Sequence, residues 1–94
     1  MDSETINVRA IISGRVQGVF YRAETQKAAG RHNVKGWVRN LPGGDVEAVF
    51  EGKREDVENM VDWCRKGPPA SAVTSVKTEK NNTLEHFTDF QITS

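Results

Sequence analysis

The turn Leu41-Pro42-Gly43-Gly44 separates two extended apolar runs, and a helical segment flanks that pair on each side. Proline presets the φ of a turn's first central position and glycine accepts positive φ at the next, so the chain must reverse here. Before the turn a strand is expected over 34–40. After it, Val46, Ala48 and Phe50 alternate with Glu47, Val49 and Glu51, the period of a half-buried strand that runs to Gly52. An antiparallel hairpin placed between helices leaves few architectures open.

The remaining segments narrow the choice. Ile6, Val8, Ala10 and Ile12 alternate with Asn7, Arg9 and Ser13, with Ile11 the exception, and predict a first strand. A short, glycine-punctuated segment follows. From about 21 to 31, Ala23, Glu24, Gln26, Lys27, Ala28 and Ala29 favour helix, and Asn33 is a suitable left-handed stop. Val57, Met60, Val61 and Cys64 fall at i, i+3, i+4 and i+7, one stripe of a second helix over about 54–66, which Gly67-Pro68-Pro69 ends. A fourth strand is expected near 72–79 and a short fifth near 87–92. The order predicts an α+β fold, a ferredoxin-like βαββαβ sandwich. It has an antiparallel sheet, two helices on one face and a short C-terminal strand. That architecture hosts many unrelated functions and names none.

The 94 residues suit one domain spanning 1–94. Thirteen Lys and Arg against thirteen Asp and Glu give no net field towards nucleic acid or an anionic membrane. The strands also lack the paired aromatics of a ferredoxin-like RNA binder. MDSETINVRA is too polar for a signal peptide, and no apolar run approaches the ~20 residues of a membrane span. Cys64 is the single cysteine and has no internal disulfide partner, so a reducing cytoplasm is the expected location. A monomer is also expected.

Topology indicates where polar groups converge. In a split βαβ unit the first and second strands run parallel with the third between them, so their C-terminal ends share one edge of the sheet. The segment 14–20 leaves the first strand at that edge, and the first helix begins there. Alternation puts Asn40, the last residue of the second strand, on the face of Val34 and Val38 that the helices should cover. Arg22 falls in the helix's first turn, where free N–H groups and the dipole already favour an anion. Spacing alone leaves Arg22 open between a phosphate ligand and a solvated surface cation.

At these residues a resemblance appears. Gly14-Arg15-Val16-Gln17-Gly18-Val19-Phe20-Tyr21-Arg22 resembles the acylphosphatase signature G-x-V-Q-G-V-x-[FY]-R. Gly36-Trp37-Val38-Arg39-Asn40, with Gly44, Val46 and Gly52, is similar to the family's second signature at each fixed position. The likeness extends over essentially the whole chain. It implies a small enzyme that hydrolyses acyl phosphates to carboxylate and inorganic phosphate with no metal and no cofactor. It further implies that the N–H groups of Val16, Gln17, Gly18, Val19, Phe20 and Tyr21 bind the phosphoryl group with Arg22, while Asn40 positions the attacking water. Neither motif holds a nucleophile, so no phosphoenzyme is required. A phosphate-binding regulatory module without turnover is the alternative. A domain of larger carbamoyl-transfer proteins, which carries a similar loop, is disfavoured because zinc-ligand cysteines are missing.

Other residues have plainer expectations. Cys64 belongs to the core stripe, and Tyr21, with Phe20 in part, should pack at the helix start. Arg15 is open between phosphate and a surface carboxylate. His32 and His86 have no partner spacing for metal or general-base work. Trp37 should pack on the less covered face of the sheet. Glu47, Glu51 and the run 53–55 are expected to be solvated charge.

Overall fold

The computed structural model describes residues 4–93. Its elements are β1 (Thr5–Arg15), α1 (Tyr21–Arg31), β2 (Lys35–Asn40), β3 (Val46–Lys53), α2 (Arg54–Lys66), β4 (Ala72–Asn81) and β5 (Phe90–Ile92). Both helices span the residues expected of them. β1 runs on to Arg15, past the glycine that was expected to end it, by taking up a register shift against β4 between Ser13 and Gly14.

The sheet order is β4-β1-β3-β2-β5. β1 and β2 both pair antiparallel with β3, so they run parallel to each other and finish at one edge. β5 pairs parallel with β2, Gly36 opposite Phe90 and Val38 opposite Ile92, which makes the five-stranded sheet mixed. Its three residues form a shorter strand than 87–92, because the chain before Phe90 is engaged elsewhere, as described below.

One face of the sheet carries Ile6, Val8, Ala10 and Ile12 of β1, Val38 of β2, and Val46, Ala48 and Phe50 of β3. These form a continuous core with Tyr21, Ala28 and Ala29 of α1 and with Val57, Met60, Val61 and Cys64 of α2. Burial of each larger aliphatic or aromatic side chain contributes about 1.5–3 kcal/mol. Phe90 of β5 stacks on Phe50, ring centroids 5.8 Å apart. Gly36 lies where β2 passes close to β3: a Cβ there would sit 1.8 Å from the Val49 carbonyl oxygen, and its φ is +141°.

Local signals explain how α1 stops. Asn33 takes the left-handed conformation (φ 61°), as its type suggested. The Val34 N–H then donates to the Ala29 carbonyl at 2.9 Å and the Asn33 N–H to the Gly30 carbonyl at 3.4 Å, the bond pair of a Schellman stop.

The opposite face corrects one expectation. Glu47 and Glu51 are not solvated; they are 3% and 5% exposed. Arg9 and Arg39 reach Glu47 from the strands on either side at 2.5 and 2.6 Å, and Arg39 also lies over the Trp37 ring at 5.3 Å. Burial pushes the Glu47 carboxyl up, but the two guanidinium groups more than offset it and hold it below the usual carboxylate value. Glu51 accepts from Asn7 Nδ2 at 2.9 Å and from the backbone N–H groups of Glu85 and Phe87 at 2.7 and 3.0 Å. The β4–β5 connection is thus drawn across the open face and fastened to a carboxylate, which occupies residues expected to begin the last strand. The nearby 53–55 run also departs from simple solvated charge, since Arg54 pairs with Glu4.

Candidate functional site

β1 delivers the chain to the loop 16–20 at the edge where β2 ends. Val16 is buried and fixes the loop's near end to the core. The Gln17 amide does not face the site. Its Nε2 donates to the carbonyls of Leu41 and Asp45, both at 2.8 Å, and so ties the loop to the β2–β3 turn. Gly18 takes φ +75°, a conformation that disfavours any side chain although space around it is open. Val19 packs half-buried against the core.

The loop ends at Phe20, in the left-handed region (φ 61°, ψ 22°), which turns the chain into α1 without a side-chain cap. The first intrahelical bond runs from Glu24 N–H to the Phe20 carbonyl at 3.0 Å. The N–H groups of Tyr21, Arg22 and Ala23 precede it and have no carbonyl one turn back. Only 18% of the Phe20 surface is covered (82% exposed), so it does not share the packing role expected of it in part. Tyr21 does pack. It is buried, its ring lies 5.8 Å from that of Trp63, and its hydroxyl donates to the Cys64 carbonyl at 2.9 Å. That bond satisfies a carbonyl in the last turn of α2 and locks the start of α1 against the end of the other helix.

A cavity of about 290 Å3 opens at this edge. Val16, Gly18, Tyr21 and Ala23 contribute to its lining, Arg22 and Asn40 supply its polar side chains, and Phe20 and Ile92 complete it. The structure therefore brings Arg22 and Asn40 to one cavity, on the helix-covered side of the sheet edge that topology indicated. Of the loop residues, Gln17 and Val19 are not among those lining it. Arg15, at the end of β1, is exposed and likewise outside the lining. Ala23 and Ile92 were not expected in the cavity. Ala23 was legible from its place in the helix's first turn, whereas Ile92 arrives through the parallel pairing of β5, which no local pattern signals.

Arginine and free helical N–H groups around one space suit an anion with several oxygens. Asn40 adds an uncharged amide able both to donate and to accept. No thiolate is at hand: Cys64 is buried, and burial pushes its thiol up to about 12, against the lowering influence of the Tyr21 hydroxyl and Arg65. Among the described residues no group of three or more His, Cys, Asp or Glu stands close enough to hold a metal ion. No described helix is long and apolar enough to cross a membrane.

Comparison with known proteins gives a consistent result. The sequence profile of the family described as Acylphosphatase matches residues 8–92. The chain is 55% identical over 82 residues to an acylphosphatase of Syntrophobacter fumaroxidans, covering 87% of this chain and 84% of that one. It is 49% identical over 85 residues to an acylphosphatase of Syntrophus aciditrophicus, covering 90% and 88%. The crystal structure of the Bacillus subtilis acylphosphatase superposes with a TM-score of 0.92 at 34% identity, covering 95% of this chain and 99% of the other.

Proposed function

The chain belongs to the acylphosphatase family, and from that premise we propose that Arg22 and Asn40 carry its reaction, Arg22 on the phosphoryl group and Asn40 on the attacking water. The protein is an enzyme, and it hydrolyses acyl phosphates. The observation that supports this division of labour is the shared cavity, in which one guanidinium, one side-chain amide and the uncapped start of α1 meet.

An acyl phosphate is a mixed anhydride whose carboxylate leaves readily, so the demands on the protein are charge stabilisation and water placement. Arg22 grips non-bridging oxygens while N–H groups at the loop and helix start stabilise charge on them. Asn40 holds water in line with the leaving carboxylate. The water oxygen bonds to phosphorus, the bond from phosphorus to the acyl oxygen breaks with its electron pair going to the carboxylate, and the water's proton passes to solvent or phosphate. The products are a carboxylate and inorganic phosphate. No residue need be phosphorylated, and no metal is called for by this donor set.

The same reading takes the chain as a single domain and a monomer of the cytoplasm, acting on a small molecule and not on nucleic acid. Its balanced charge supports the last of these, the absence of nucleic-acid binding. The test is hydrolysis of benzoyl phosphate in excess EDTA. Turnover should persist; activity abolished by EDTA and restored by a divalent cation would overturn the metal-free mechanism.

A further inference from the structure

The described residues hold two exposed large hydrophobic side chains, Phe20 at 82% and Ile92 at 40%, and both line the cavity that contains Arg22 and Asn40. Isolated apolar side chains on a surface need no explanation, but here every such residue faces the same small opening. Neither is there to fill the core. Phe20 sits between Val19 and Tyr21, which do turn inward, and it occupies a left-handed backbone conformation that is unfavourable for a bulky residue. A strained, solvent-facing aromatic beside a reaction centre points to a role in the site.

Ile92 is held there with equal definition. Its strand pairs with the same β2 that ends in Asn40, Ile92 opposite Val38, and the Thr93 N–H donates to the Val38 carbonyl at 2.9 Å. Gln26 of α1 donates to the Phe90 carbonyl at 3.0 Å, so β5 is tied to the helix that carries Arg22.

We propose that Phe20 and Ile92 form an apolar lip that binds the acyl group, so that these two side chains set how strongly this enzyme discriminates an aromatic acyl phosphate from a small one such as acetyl phosphate. The inference rests on the reaction assigned above. With the phosphoryl end held by Arg22 and the helix start, the acyl group is the part of the substrate that projects towards the opening. An aromatic acyl group there covers apolar surface on both side chains and stacks against Phe20, gains that an acetyl group is too small to make.

The experiment is the ratio of kcat/KM for benzoyl phosphate to that for acetyl phosphate, measured on the wild type, Phe20→Asn, Phe20→Tyr and Ile92→Thr. Asparagine tolerates the left-handed backbone and removes the ring. The wild-type ratio should exceed one by about tenfold, the equivalent of about 1.4 kcal/mol. Phe20→Asn should reduce it towards one, Phe20→Tyr should preserve it, and Ile92→Thr should lower it several-fold. An equal ratio in wild type and Phe20→Asn would overturn the lip while leaving the hydrolase reading intact. A wild type that cleaves neither substrate would overturn the hydrolase reading itself.

Discussion

The side-chain amide of Gln17 donates to the backbone carbonyl of Asp45 at 2.8 Å, joining the loop before α1 to the turn after Asn40. With its second bond, to Leu41, it holds together the two segments that carry Arg22 and Asn40 without itself entering the cavity. Gln17→Ala should therefore act through position. Each lost bond is worth about 1 kcal/mol, so binding of inorganic phosphate should weaken by roughly tenfold or more. The same loss, about 2 kcal/mol for the two bonds, should lower the melting temperature by about 8–16 °C. Unchanged KM and unchanged phosphate inhibition in Gln17→Ala would show that the tether does not order the loop.

The proposed roles of Arg22 and Asn40 separate in a binding assay. Arg22→Ala should abolish phosphate binding and turnover together, since its charge acts on bound substrate and transition state alike. Asn40→Ala should leave phosphate binding nearly intact and lose turnover by about 10²–10³, the usual effect of removing one preorganised polar group. Arg22→Lys should restore little, because an ammonium does not reproduce the guanidinium fork. Near wild-type hydrolysis of benzoyl phosphate by Asn40→Ala would refute the water-positioning role.

Glu51 should make the fold acid-sensitive. Burial lifts its carboxyl, but the Asn7 amide and the backbone N–H groups of Glu85, Phe87 and His86 outweigh that and hold it below the ordinary carboxylate value. A group lowered on folding lends stability that is complete above its unfolded value, about 4.3, and fades as pH falls through its folded value. Glu51→Gln should lower stability at pH 7 by about 1–3 kcal/mol. It should also flatten the dependence of melting temperature on pH between 7 and 3, leaving the Glu47 contribution. Wild-type and Glu51→Gln curves that run parallel over that range would exclude the effect.

The elements that were legible in the sequence are those whose signals are local. The stripe Val57, Met60, Val61 and Cys64 and the alternation of β1 follow from a helix's or strand's own period, and Asn33 announces a left-handed stop by its residue type. The meeting of Arg22 and Asn40 was legible because parallel neighbours of one strand end at the same edge. Glu47 and Glu51 were misread because alternation assigns a face and not its covering. What buries them is Arg9 and Arg39 from neighbouring strands and a connection more than thirty residues further along the chain. Ile92 was missed for the same reason, since its place depends on pairing with a strand far away in sequence.

The sheet order has a temporal consequence. β1 and β2 do not touch; β3 lies between them. α1 is local and its first turns can form within about a microsecond, yet Arg22 and Asn40 stay unregistered until residues 46–53 insert. A nascent chain halted at residue 45 would contain both side chains and the full loop, and would still be inert. Recovery of turnover in a refolding experiment would accordingly time the closing of the sheet's middle strand, so that the enzyme's own substrate serves as a clock for its assembly.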